Sequence, residues 1–174
     1  MAAEDSEAKE LEDVLAELIK ADIEYGDKAI MRESPYSRTV NKYISSLEEL
    51  HFYIRLGLRE KIITRHSLTK DKINLNIRDN KNKSNLNRME NGQPPIVSFG
   101  AGAGLELHHM KQDYHGTFAE LTQNQHSNPG KGVILHPKNS GSESWRSSKE
   151  MNDAFNKERK LYWKKRVRML VYDE

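Results

Sequence analysis

The 174-residue chain contains no cysteine. Disulfides and thiolate metal sites are therefore excluded, and any metal has to be held by nitrogen and oxygen ligands. No apolar run approaches the roughly 20 residues of a membrane span. Mean hydropathy is −0.86 and 31% of residues are charged, so the surface is strongly solvated. The start, Met1-Ala2-Ala3-Glu4-Asp5, lacks a basic stretch followed by an apolar one, and no signal peptide is expected there. Such a composition suits a reducing cytoplasm. It also suits a chain that must be unfolded and threaded through a membrane. No internal repeat is found, and the length allows one core with a small appended element.

The net charge of +2 is small only because two regions oppose each other. Residues 1–24 carry nine acids against Lys9 and Lys20, a balance of −7, which leaves residues 25–174 at +9. A basic body suggests a polyanionic partner; a solvated charged face explains charge equally well when charge is considered alone.

Hydrophobic periodicity predicts a helix over 5–24, with Leu11, Val14, Leu15, Leu18, Ile19 and Ile23 on one face and acids on the other. That face is expected to pack on the body, the alternatives being a dimer or partner interface, or a linker or entry element. Residues 25–45 read as irregular, broken at Ser34-Pro35. Ser46 and Glu49 form a capping box for a second helix that Gly57 closes. Ile73, Leu75 and Ile77 alternate as in a short strand. Ser84 starts a short helix over 84–91 that Gly92 ends ahead of Pro94-Pro95. Gly100, Gly102 and Gly104 are not a dinucleotide fingerprint, since the third glycine is one position early and no helix follows; they read as a turn. Leu105–His109 alternates as a strand, Phe118–Thr122 returns, and Thr122 caps a brief helix through His126. Val133–His136 is a short apolar run, and 138–147 is a polar loop. A last helix is expected over 148–168, with Ser147 and Glu150 as its capping box. Residues 157–168 have a balance of +6, with Tyr162 and Trp163 expected inward and the cations outward.

Five of the seven histidines lie within residues 108–136. Imidazole is the commonest side chain both for holding a metal and for moving a proton near neutral pH. A strand, a loop, a returning strand and a short helix, with histidines ending the first strand and riding the helix, make the layout of a ββα-metal site for phosphodiester hydrolysis. That chemistry needs a general base for water and a cation for the developing phosphate charge. Alternation sends His108 and His109 to opposite faces, so one should ligate and the other activate water; alternation alone does not say which. His115 reads as a surface residue, and His51 and His66 as structural or exposed.

Leu107-His108-His109, with Gln112, Gly116, Ala119-Glu120-Leu121-Thr122, His126 and Leu135-His136, resembles the LHH group of the HNH/endonuclease VII nuclease superfamily. Asn85–Ile96 resembles the segment ahead of that strand, and Phe155, Arg159 and Tyr162-Trp163-Lys164 its closing helix. The resemblance covers roughly 74–168. It implies an α+β fold, mostly helical, with a small antiparallel hairpin forming a ββα-metal (His-Me finger) nuclease site in residues 74–174, after a helical region 1–73 of unknown role. It implies His109 as general base, His108 and His126 as metal ligands, His136 as a further ligand or phosphate contact, and Glu120 as an orienter of an imidazole. The asparagine of the HNH pattern has no clear counterpart here.

Such domains form the toxic tips of bacterial polymorphic toxins. The implied function is a DNA endonuclease of low sequence specificity, acting in the bacterial cytoplasm after delivery and neutralised by an acidic immunity protein. One divalent cation is implied, Mg²⁺ first, with Zn²⁺, Mn²⁺ or Ni²⁺ compatible with imidazole ligands. Arg159, Lys160, Lys164 and Arg166 are the expected DNA contacts. The alternatives are a zinc-stabilised nucleic-acid-binding module without activity, and an RNase toxin.

Overall fold

Short-range signals set most helix ends. The computed structural model describes residues 2–97, 104–127, 134–136 and 145–173, with the backbone alone for residues 2–5 and 7. Helix α1 (Ala2–Glu33) is followed by α2 (Arg38–Asn41) and α3 (Leu47–Arg55). At α3 the Ser46 hydroxyl accepts from the Glu49 amide at 3.1 Å, while the Glu49 carboxylate reaches back to the Ser45 amide at 2.7 Å. Gly57, at φ +70, closes that helix in the left-handed region glycine tolerates. Strands β1 (Arg59–Ile62) and β2 (His66–Thr69) come next, then α4 (Asn85–Glu90), whose cap Ser84 accepts from the Asn87 amide. Gly92 ends α4 at φ +79, and a Cβ there would lie 3.0 Å from Cβ of Lys160. Strands β3 (Glu106–His109) and β4 (Phe118–Leu121), helix α5 (Gln123–Ser127) and the long helix α6 (Lys149–Tyr172) complete the elements used below. The cap of α6 is Ser148, one residue later than expected, accepting from the Met151 amide.

The strands form one sheet in the order β1-β2-β4-β3. β1 with β2 and β3 with β4 are antiparallel, while β2 with β4 is parallel. The register pairs His108 with Ala119 and His109 with Phe118. One core cluster joins Leu68, Ala119 and Leu121 to Ile30, Val40, Leu50 and Tyr53 from α1, α2 and α3. The other joins Leu107 and Phe118 to Met89 and to Phe155, Tyr162, Trp163 and Val167 of α6. The sheet is therefore a middle layer between α1–α3 and α6, an α+β arrangement in which the β3–β4 hairpin and α5 make the expected ββα unit.

Several expectations are corrected. No strand forms at Ile73, Leu75 and Ile77; the carbonyls of Leu75 and Ile77 accept from Leu86 and Asn85 at the start of α4 instead of from a ladder. The strands lie earlier, at β1 and β2, whose short polar sequences carry little alternation. The sheet thus draws on both sides of residue 73. Residues 25–33 are not irregular but continue α1. The apolar face of α1 does not pack along its length: Leu11, Leu15, Leu18 and Ile23 are 56–65% exposed, and burial begins only at Ala29 and Ile30. The glycine turn (Gly100 and Gly102), Val133, and residues 138–144 of the polar loop lie outside the described residues. Among the described residues, no helix is long and apolar enough to cross a membrane.

Candidate metal centre and active site

Strand alternation divides the paired histidines as expected. His108 leaves β3 on the side of Glu106, toward α5 and residues 134–136. Its Nδ1 lies 3.1 Å from Nε2 of His126, and that same Nε2 lies 3.1 Å from Nε2 of His136. One ligand atom from each of the three lies within 4.8 Å of the others. Nδ1 of His126 is 2.5 Å from Oε2 of Glu106. An ionised carboxylate only accepts, so this contact puts the His126 proton on Nδ1 and turns a bare Nε2 lone pair toward the other two rings. An imidazole fixed by a carboxylate on its far nitrogen is the common arrangement of a metal-bound histidine.

The donor set fits a metal. Nitrogens bound about 2.0–2.1 Å from a tetrahedral centre stand about 3.3 Å apart; two of the separations here are 3.1 Å, and the three atoms lie within 4.8 Å of one another. The His108 nitrogen that approaches His126 is Nδ1, and the ring is 1% exposed. Burial first, then the neighbouring imidazoles, holds the His108 pKa well below the ordinary histidine value. A neutral ring is the form that ligates.

His109 leaves the strand on the opposite side, into an aromatic box. Its ring centroid is 4.5 Å from those of Trp145 and Phe155 and 4.9 Å from that of Phe118, and Tyr114 stacks on it at 6.4 Å. Neither ring nitrogen has a hydrogen-bond partner among the described residues. Burial, followed by the charges of Arg65 and Arg146, pushes its pKa down to about 3. His109 is thus a neutral imidazole whose lone pair has no partner among the described residues.

Both kinds of histidine line one cavity of about 790 Å³, with Glu106, Gln112, Trp145, Arg146 and Arg159 on its wall. The turn leaving His109 is tight. Lys111 and Gln112 sit at φ 59 and 52, a left-handed conformation costing about 1–3 kcal/mol each for ordinary residues. At Gly116 a Cβ would overlap the Met110 carbonyl oxygen, so only glycine fits.

Two expected site residues are elsewhere. Glu120 does not orient an imidazole. It lies opposite Leu107 on the α6 side of the sheet, accepting from Tyr162 Oη at 2.8 Å, Arg166 Nε at 2.6 Å and the Lys70 amide at 2.8 Å. Arg166 is not available to DNA. One turn after Tyr162 on the inward face of α6, it is 1% exposed and paired with Glu120. Arg159 reaches the cavity wall, and Lys160 and Lys164 are exposed on the same helix. His115 is exposed; His51 pairs with Glu33 and His66 with Glu60.

Glu106 is a site residue that the sequence reading passed over. Its signal was present: it stands two residues before His108 and shares its face of the strand. Tyr114, Trp145 and Phe118 had no comparable local signal.

Residues 84–169 match a family described as LHH, a nuclease of the HNH/ENDO VII superfamily with conserved LHH. No solved structure matches the chain.

Proposed function

We propose, from the match of residues 84–169 to the LHH group of the HNH/ENDO VII nuclease superfamily, that the chain is a metal-dependent endonuclease hydrolysing DNA with little sequence preference. One observation carries the reading: three imidazole nitrogens converge beside a cavity whose wall also includes His109, a ring with no hydrogen-bond partner among the described residues. His108, His126 and His136 would hold the ion. A divalent cation bound there supplies positive charge where the phosphate and the leaving oxygen become negative. His109 takes the proton from the attacking water; a neutral imidazole at working pH is the competent form of a base. Glu106 keeps the His126 ring turned inward. Arg159 binds phosphate at the cavity, and Lys160 and Lys164 contact the backbone to either side. Backbone contacts position without reading sequence, and no base-reading module is present among the described residues, which supports low specificity.

Nitrogen ligands accept Zn²⁺, Mn²⁺ and Ni²⁺ as well as Mg²⁺. The three imidazoles that would hold the ion lie on the wall of a cavity large enough for a substrate group, which favours catalysis over a closed structural zinc site. A nonspecific DNase is lethal to the cell that makes it. We therefore read the chain as the toxic part of a polymorphic toxin acting in the bacterial cytoplasm, neutralised by an acidic immunity protein that covers its basic face.

The test is supercoiled plasmid, and in parallel a structured RNA, incubated with purified protein and Mg²⁺, Mn²⁺, Ni²⁺ or Zn²⁺, with and without EDTA. Nicking of plasmid that EDTA abolishes is the expected result. Cleavage of RNA alone assigns an RNase, and stoichiometric zinc with both substrates intact assigns a binding module.

A further inference from the structure

The walls of the His109 box come from distant parts of the chain, and one side chain from upstream of residue 84 ties three of them together. Arg65 lies in the turn between β1 and β2. Its Nη1 donates to the carbonyl of Tyr114 at 2.6 Å and to that of Gly116 at 3.0 Å. Its Nε donates to Glu158 Oε2 at 2.8 Å, and Nη2 donates to the other oxygen of the same carboxylate. Its Cζ lies 4.1 Å over the ring centroid of Phe118. Tyr114 and Phe118 are two walls of the box, and Glu158 stands one helical turn after the third, Phe155. The Thr64 hydroxyl donates to Glu158 as well, at 2.8 Å.

We infer that Arg65 is a positioning residue for His109, and that the working nuclease unit therefore includes the β1–β2 hairpin. The guanidinium fork is the part that matters. A planar group with five donors can hold two carbonyls and a carboxylate while stacking on an aromatic ring; an ammonium cannot. Loss of the fork frees the strained 110–117 turn and lets the imidazole drift. Small misplacement of a reacting group can lower a rate by about 100-fold. The His108–His126–His136 cluster, on the other side of β3, makes no contact with Arg65 among those described.

The inference rests on the proposed role of His109, and the test separates the two. Arg65→Lys is compared with the parent chain by plasmid cleavage, by Co²⁺ titration and by the ring-proton resonances of His109 and His108 in metal-free protein. The expected result is a kcat lower by about 10- to 100-fold with KM within about twofold and Co²⁺ affinity unchanged. The His109 ring signals, shifted by four aromatic neighbours, move toward those of an unstacked imidazole, while the His108 signals stay. Parent-level kcat overturns the inference, as does a rate loss matched by an equal loss of Co²⁺ affinity. If Arg65→Lys does not fold, Glu158→Gln keeps both carbonyl bonds and loosens only the α6 side. A smaller loss in the same direction with His109 displaced is then expected, and unmoved His109 signals overturn it. A parent protein that cleaves nothing refutes the nuclease reading, and the ring signals still decide the placement of His109.

Discussion

Glu106 Oε2 sits 2.5 Å from Nδ1 of His126, and that contact decides which nitrogen of His126 faces His108 and His136. Outer partners of this kind typically contribute 10- to 100-fold in metal affinity. Glu106→Ala should weaken Co²⁺ or Zn²⁺ binding by about that factor, read by chelator competition, with an unchanged far-UV spectrum. Glu106→Gln should fall between, keeping an acceptor but losing the charge. Unaltered affinity in Glu106→Ala would remove the carboxylate from the centre.

His109 and His108 should fail in different ways. His109→Ala is expected to lower kcat by about 10²- to 10⁴-fold, the range for a positioned general base, with metal affinity retained. His108→Ala should lose metal binding itself. Isothermal titration alongside plasmid cleavage separates the two. Equal metal loss in both variants would merge their roles.

The Glu120–Arg166 pair should matter for folding and not for catalysis. Both groups are nearly inaccessible, at 0% and 1%. Removing one partner of such a pair strands a buried charge and costs about 3–5 kcal/mol. Arg166→Ala should therefore lower the urea midpoint sharply. Joint replacement by Leu at 120 and Met at 166 should recover much of that loss.

Arg159 and Lys164 should behave in the opposite way. Arg159→Ala and Lys164→Ala are expected to leave the unfolding free energy from urea titration within about 0.5 kcal/mol of the parent, as exposed positions usually do. Each should reduce the salt dependence of DNA binding by about one counterion. Fluorescence anisotropy between low and moderate salt reads this slope, and an unchanged slope argues that the cations face solvent alone.

Glu49 should give the protein a stability that declines with pH. Burial pushes its pKa up from 4.5 to about 7, partly offset by hydrogen bonds from Tyr53 and Ser45. The folded state thus holds a proton that the unfolded chain has released between these values. Stability from this group is complete below about pH 4.5 and is lost as pH rises through 7, about 3 kcal/mol in all. Urea midpoints at pH 5 and 8 should differ more in the parent than in Glu49→Gln. Equal pH dependence in both would refute the assignment.

What the sequence disclosed was what lies close along the chain. Ser46, Ser84, Gly57 and Gly92 mark helix ends because capping is a matter of three or four residues. The β3–β4 hairpin and the inward aromatics of α6 followed from periods of 2 and 3.6. Glu120 and Arg166 were misread because their chemistry is set by a contact 46 residues apart: in sequence they are an acid near histidines and a cation in a basic run. β1 and β2 escaped notice because neither short strand alternates; β1 pairs with β2, and β2 is joined to the sheet by β4, about 50 residues downstream. The stripe on α1 was visible, but periodicity does not say whether anything covers it.

The sheet order places β4 between β2 and β3. A fragment cut to begin at residue 84 would keep every histidine of the cluster yet strip β4 of its parallel neighbour. Its open row of amides and carbonyls, beside the uncovered side chains of Ala119 and Leu121, would form a bare sheet edge of the kind that recruits other chains. Such a fragment is expected to aggregate, so a minimal soluble unit should start before Ile30, keeping both β2 and the helices that cover Ala119 and Leu121.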